Sequence, residues 1–500
     1  MVHDASRDDQ PARTSSAWAL GLVVLAVCGY FVPAATWSPM SRFALTRAVV
    51  EDGSITLGDW ADATGDRAQR DDRWYSDKAP LPALAATIPY VVVRLTQRAL
   101  DREAPAFEAQ RRGDLPAVRV SLNRSAQRLL YACSVTVSGG GAVALTLVTL
   151  LWLRRRFGLG PSTFGAAVLA LATPVLPYAT SLFGHVPAGA AVFGALLLAE
   201  PRAPTRRYVV AGALLAAAVG CEYLMALPTA VLGGYLVFTA GPTMRDRGLG
   251  ALRLAAGALP VVLAIATYHQ VAFGGPFETG YSHLTNAQFR AGHAGGFMGI
   301  GAPTAEGLFG LTFGLRRGLF YLSPILLAAV VGTVARWRQL DGAVRAALLG
   351  LLVLGLANAG YYMWWGGAAT GPRHLVPLLA ALAPGLAIAW SWRPGRPLLL
   401  AAAAWSGLTM LAFAAVGLEA PETGEAVFGY AWSGLLDGRV SALSSASNLG
   451  MLLGLPSLVS LIPLWVLLVL GVRWIWRSAR EGDDEQPKAT REASETAEAS

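Results

Sequence analysis

About a dozen apolar runs, most near the length needed to cross roughly 30 Å of bilayer hydrocarbon, restrict what this chain can fold into. They fall at 17–38, 128–153, 162–182, 185–200, 208–222, 224–240, 251–273, 319–335, 343–362, 375–391, 397–417 and 456–475. Backbone in hydrocarbon must satisfy its own hydrogen bonds, so such runs predict helices. The expected fold class is all-α, a polytopic membrane protein with about 12 transmembrane helices.

Composition agrees, with 54% hydrophobic residues, 14% charged residues and a mean hydropathy of +0.46. A soluble domain carries about a quarter charged residues. The formal charge of +8 sits in short arginine clusters between apolar runs, which sets topology and gives no nucleic-acid site. Threaded alternately from a cytoplasmic N-terminus, the runs put Arg154–Arg156, Arg202/Arg206/Arg207, Arg245/Arg247/Arg253, Arg336/Arg338/Arg345 and Arg393/Arg396 all inside. The cytoplasmic (inner) membrane is the expected location. Cys28, Cys133 and Cys221 lie within apolar runs, so neither a disulfide framework nor a thiolate metal site is indicated. The 17–38 run exceeds a usual signal-peptide core and is read as a retained first span.

The segment 82–93 is short, contains Pro82 and Pro89, and would invert every later arginine cluster if it crossed. It is read as a helix lying in the outer interface. Residues 39–127 then form one long extracytoplasmic loop within a 1–475 transmembrane unit, with further outer loops at 274–318 and 418–455. The 476–500 tail, rich in Glu, Ser, Thr and Ala, is expected to be a disordered cytoplasmic extension. A reporter fused near Arg112 should therefore be extracytoplasmic and one near Arg155 cytoplasmic. A cytoplasmic Arg112 reporter would remove the long first loop.

The ionisable residues gather at the outer ends of the runs: His185, His269, His283, His293, His374 and Glu222. Each histidine alone reads as an interfacial hydrogen-bonding residue; their common side carries the information. The first loop is densest, with Glu51, Asp52, Asp59, Asp62, Asp66, Asp71, Asp72 and Asp77 among Arg67, Arg70, Arg73 and Lys78. Mixed charge of this kind keeps a loop soluble. It also supplies carboxylates able to deprotonate a hydroxyl or hold a divalent cation, and cations able to meet a lipid-linked phosphate. Trp74-Tyr75-Ser76-Asp77-Lys78-Ala79-Pro80 sets an acid and a base beside aromatic residues suited to the headgroup zone.

Arg42-Phe43-Ala44, Arg47, Glu51-Asp52-Gly53 and Tyr75-Ser76-Asp77-Lys78-Ala79-Pro80-Leu81 resemble the first periplasmic loop of C-type (GT-C) membrane glycosyltransferases. That superfamily includes protein mannosyltransferases and the enzymes that add aminoarabinose to lipid A. An Arg-Tyr-Ala stretch opens their loop, and an acid-Lys-Pro-Pro element closes it before a membrane-surface helix. The resemblance covers about 40 residues of motif and implies transfer of a sugar from a polyprenyl-phosphate carrier to an extracytoplasmic hydroxyl, with Lys78 on the carrier phosphate. It implies no nucleotide cofactor and is compatible with a divalent metal. The chain departs from the family where its acidic residue should precede the opening arginine, because Pro39 and Met40 stand there. Either another loop carboxylate supplies the base, with Asp59, Asp62, Asp66 and Asp77 the candidates, or the chain is a diverged or inactive member. Asp66 and Asp77 lead, since each has a basic neighbour (Arg67, Lys78) that favours the ionised form.

Two later segments face the same way. The 274–318 loop closes on Arg316-Arg317, a pair that breaks the positive-inside pattern and so predicts an anion. The turn Trp364-Trp365-Gly366-Gly367 followed by Gly371-Pro372-Arg373-His374 offers rings to stack on a sugar and a cation for phosphate. Lys78, Arg316, Arg317, Arg373, His374, Tyr75 and Trp365 are the expected donor-binding residues, and a polyprenyl-phosphate sugar and membrane lipid the expected partners. A transporter or flippase fits the span count equally, although repeats and mid-membrane charges are missing. A non-catalytic assembly protein is favoured only by the absent acid at Met40.

Overall fold

The computed structural model describes residues 10–110, 119–200, 203–440 and 447–484; Arg112 and the tail beyond Asp484 lie outside them. The chain is an all-α polytopic membrane protein. Its principal helices are α1 (Gln10–Tyr30), α2 (Trp37–Arg47), α3 (Thr87–Ala99), α4 (Arg124–Arg154), α5 (Leu159–Leu171), α6 (His185–Leu198), α7 (Thr205–Cys221), α8 (Tyr223–Thr239), α9 (Met244–Phe273), α10 (Ile325–Ala335), α11 (Gly342–Ala359), α12 (Arg373–Ser391), α13 (Arg396–Val416) and α14 (Ile462–Asp484). Six stretches, Arg124–Arg154, Met244–Phe273, Gly342–Ala359, Arg373–Ser391, Arg393–Val416 and Ser457–Arg477, are long and apolar enough to cross a membrane. Other apolar helices are shorter.

Proline explains where helices depart from the apolar runs. The 162–182 run breaks after Leu171, and a short helix, Val175–Ala179, follows Pro174. The first half of α12, Arg373–Leu382, is 3₁₀ with Pro377 inside it, and its larger rise per residue lengthens a short segment. The stretch Val427–Leu436, assigned from sequence to an outer loop, contains helix.

Small residues let the helices meet. A Cβ on Gly212 of α7 would lie 1.9 Å from the Leu254 carbonyl oxygen, and one on Gly257 of α9 1.7 Å from that of Val209. These glycines permit backbone contact between α7 and α9, the usual basis of helix association in lipid. The other side of α9 exposes Leu252, Leu259, Leu263 and Val271.

Helix α3 occupies the segment left out of the span count. Its outer face exposes Ile88, Val92 and Leu95, while Tyr90, Arg94 and Gln97 are buried. That inversion suits a helix lying on a membrane surface with its polar side on protein. Glu51 holds it, accepting from Arg94 Nε at 2.8 Å, Arg98 at 2.6 Å and Tyr90 Oη at 3.1 Å.

Helix ends that the arginine pattern assigns to one side meet. Arg156 pairs with Asp341 at 2.5 Å, and Arg155 pairs with Glu200, joining the ends of α4 and α6 to the start of α11. The opposite ends carry the charged cluster described next.

Candidate active site

A hairpin assembles the first part of the site. Strands β1 (Arg67–Arg70) and β2 (Arg73–Ser76) pair antiparallel with Arg67 opposite Ser76 and Ala68 opposite Tyr75. Asp71 and Asp72 turn the chain at φ 49° and 56°, the paired positive angles of a two-residue hairpin that aspartate tolerates. One rung beyond the register, Asp66 and Asp77 stand opposite each other. Lys78 lies between them, with Nζ 2.9 Å from Asp66 Oδ2 and 3.2 Å from Asp77 Oδ2. Burial works against the ammonium, but the two carboxylates overcome it and hold Lys78 above its usual range. Burial pushes Asp77 up to about 6; Asp66 acts in the same direction, while Lys78 and Arg42 oppose it.

The hairpin is anchored to α2, whose residues from Ser38 to Thr46 are all buried. Ser41 Oγ meets Ser76 Oγ at 2.7 Å, Thr64 donates to the Trp37 carbonyl at 2.8 Å, and Asp66 N–H donates to Thr64 Oγ1 at 3.0 Å. Ala68 also forms a bridge with Leu284 of the second outer loop, so two loops meet over the same carboxylates. From α2, Arg42 reaches Glu222 Oε1 at 2.9 Å and Ser38 Oγ at 2.7 Å, with only 2% of its side chain exposed. His185 Nδ1, on the first residue of α6, lies 3.3 Å from the same Glu222 oxygen.

Arg373 and His374 come in from the start of α12. Arg373 lies within electrostatic reach of Asp66, Glu222, Tyr178 and Tyr361, and of Lys78. The His374 ring meets His185 at 5.9 Å and Tyr361 at 5.9 Å edge to face. Tyr361 Oη is 3.2 Å from His293 Nε2, and His293 stacks on Tyr281 at 4.4 Å. Arg373 Nε, His374 Nε2 and Asp77 Oδ1 are buried without a hydrogen-bond partner. Such atoms are expensive to leave unsatisfied, and with Arg42 Nε and His185 Nδ1 five of them belong to one cluster.

No family model and no curated protein matches this sequence. Among solved structures, the chain is similar to the apo oligosaccharyltransferase of Archaeoglobus fulgidus, at 13% identity and a TM-score of 0.45, over 86% of this chain and 55% of that one. It is similar to apo ArnT from Cupriavidus metallidurans at 15% identity and a TM-score of 0.49, over 93% of this chain and 76% of that one. For the same ArnT bound to undecaprenyl phosphate the values are 14%, 0.46, 93% and 74%. The chain thus spans about half the length of the archaeal structure.

The other residues expected from sequence have different partners. Asp59 is exposed, and Asp62, 41% exposed, pairs with Arg67 at 3.0 Å. Neither contacts Lys78. Arg317 is buried, but its guanidinium donates to the carbonyls of Trp365, Arg316, Gly367, Ala420 and Pro421 at 2.8–3.1 Å. Its donors are committed to backbone, so it shapes the site without facing an anion. Arg316 lies over Trp364 and Trp365 and donates to the Glu422 carbonyl, while Trp365 Nε1 donates to Glu422 Oε2 at 2.9 Å. That corner is closed on itself. Tyr75 is buried against Phe273, ring centroids 5.9 Å apart, and supports the hairpin.

Among the described residues, no group of three or more His, Cys, Asp or Glu side chains is placed to hold a metal ion. Between Asp66 and Asp77 the cation position is taken by Lys78. This donor set does not fit a metal. Sequence reasoning passed over Arg42 as a site residue, and it missed Tyr361. Arg42 was legible as a motif residue; Tyr361 carries no local signal.

Proposed function

We propose that this chain transfers a hexose or pentose from a polyprenyl-phosphate carrier to a hydroxyl of a cell-envelope glycan, lipid or protein, at the extracytoplasmic face of the cytoplasmic membrane. The observation that carries the reading is Lys78, gripped between Asp66 and Asp77 with Arg373 in reach. When the anomeric C–O bond breaks, its electron pair leaves with the carrier phosphate, and fixed cations stabilise the charge developing there. Lys78 and Arg373 are suited to that role because they are held in place before substrate arrives. Asp66 and Asp77 keep the ammonium positioned and charged. Tyr361, His374 and His185 offer donors and ring faces to a sugar. The cluster draws on the ends of α6, α7 and α12 and on outer loops, whereas a transporter concentrates its charges near the middle of its spans.

The test is incubation of purified protein with undecaprenyl-phosphate-linked hexoses and pentoses, following sugar release to water or transfer to a hydroxyl. Absence of turnover across the panel would sink the reading.

Packing of the second outer loop over Asp77 gives a further prediction. A Cβ on Gly280 would lie 2.6 Å from Asp77 Cα and 3.1 Å from its Cβ. Gly280→Ala should push the loop off the carboxylate and lower kcat/KM by about tenfold through misplacement. A variant with wild-type turnover would show that this contact does not position the site.

A further inference from the structure

The segment after α13 reaches back to the first turn of α2 through Glu419. Thr36 is the N-cap of α2, with extended backbone, yet its side chain caps nothing in its own helix. Its hydroxyl instead lies beside the Glu419 carboxylate. Around Glu419 the backbone is fixed on both sides. Thr370 Oγ1 donates to the Leu418 carbonyl at 2.5 Å, Ala369 N–H to the Ala420 carbonyl at 3.1 Å, and Arg317 to the carbonyls of Ala420 and Pro421. The same guanidinium bonds Trp365 and Gly367, in the turn that leads to Arg373. Arg317 therefore ties the Glu419 segment to the Arg373 turn.

Glu419 faces Asp66 and Arg373, with Tyr178 and Tyr430 also within electrostatic reach, and it keeps part of its surface accessible. The other carboxylates of the cluster are committed to cations: Asp66 and Asp77 to Lys78, Glu222 to Arg42. Asp77 is also nearly sealed, 3% exposed. Resting on the transferase reading above, we infer that Glu419 is the proton acceptor for the incoming hydroxyl. The acceptor O–H proton moves to the Glu419 carboxylate and the acceptor oxygen bonds the anomeric carbon. The anomeric C–O bond to the carrier breaks, with its electron pair leaving on the polyprenyl phosphate. Thr36 lies about one turn from Pro39 and Met40, so a distant part of the chain brings an acid to the helix turn that lacks one.

Burial pushes the Glu419 carboxyl up to about 7, aided by Asp66 and opposed by Thr36 and Arg373. A base poised near the working pH combines availability with proton affinity. Removing the Thr36 hydroxyl takes away an interaction that favours the charged form and should raise this carboxyl further.

The experiment uses full-length protein and undecaprenyl-phosphate-linked sugars. Glu419→Gln should cut turnover by about 10²-fold or more while undecaprenyl-phosphate binding stays within threefold. Glu419→Asp should recover part of the rate. Thr36→Val should move the acid limb of the pH profile to higher pH, which decides the matter if Glu419→Gln fails to fold. An active wild type whose Glu419→Gln variant keeps turnover within threefold, or whose Thr36→Val limb does not move, overturns this assignment alone. A wild type that moves no sugar overturns the transferase reading and this assignment with it.

Discussion

Replacing Lys78 by methionine should lower kcat/KM by about 10³-fold, near the upper end of what losing one preorganised donor costs. The volume is roughly kept, so the effect isolates the charge. Two consequences compound. The leaving phosphate loses its nearest proposed cation, and Asp66 and Asp77, both bonded to Nζ, are left facing each other across a buried gap. Breaking a buried pair by removing one partner costs about 3–5 kcal/mol, so a lower melting temperature should accompany the loss. Lys78→Arg keeps the charge but puts a planar fork where a compact ammonium sits, and should retain an intermediate rate. Arg316→Ala is the control, since that side chain lies on the tryptophans and bonds a carbonyl; turnover within threefold is expected. Equal losses at Lys78 and Arg316 would argue against Lys78 as the phosphate ligand.

The contrast between those cations shows how far the sequence could be read. Asp66, Asp77 and Lys78 were legible because the hairpin is local: a two-residue turn at Asp71-Asp72 fixes the register, and the register sets Asp66 opposite Asp77. Asp59 and Asp62 carry the same charge in the same loop, and nothing in their neighbours says that they end on its outer rim. Arg317 and Arg373 were indistinguishable as basic residues at the outer ends of apolar runs. Their difference depends on where the carbonyls of Gly367, Ala420 and Pro421 lie, which depends on three segments far apart in the chain.

The helices show the same division. Arginine clusters sorted the loops into two sides, and pairs such as Arg156–Asp341 join ends assigned to one side. Hydropathy alone gave no notice that the 162–182 run breaks or that α12 begins as 3₁₀, because an apolar residue reads alike in either conformation. The prolines marked those places. Glu419 illustrates what remained hidden: a single acid just after a span reads as an ordinary end cap, and its meaning comes from Thr36, which is remote in sequence.

The largest loss of stability should come from Arg42→Met. Arg42 is 2% exposed and bonds Ser38 and Glu222, and Glu222 is itself 17% exposed. Without the guanidinium, a nearly buried carboxylate keeps only the neighbouring His185 ring, 3.3 Å away. A stranded charge of this kind costs about 3–5 kcal/mol, whereas removing both members of a buried pair is often close to neutral. The double variant Arg42→Met/Glu222→Gln should therefore recover more than half of the loss, a coupling that separate, additive contributions cannot produce. Heating a membrane protein is commonly irreversible, so the comparison belongs in half-lives at one temperature, scored by the fraction that remains monodisperse. If Arg42 also helps meet the carrier phosphate, the double variant regains lifetime without regaining turnover. Should Arg42→Met outlast or match the wild type, the Arg42–Glu222 pair does not hold α2 against the start of α8, and the site must be anchored through the hairpin alone.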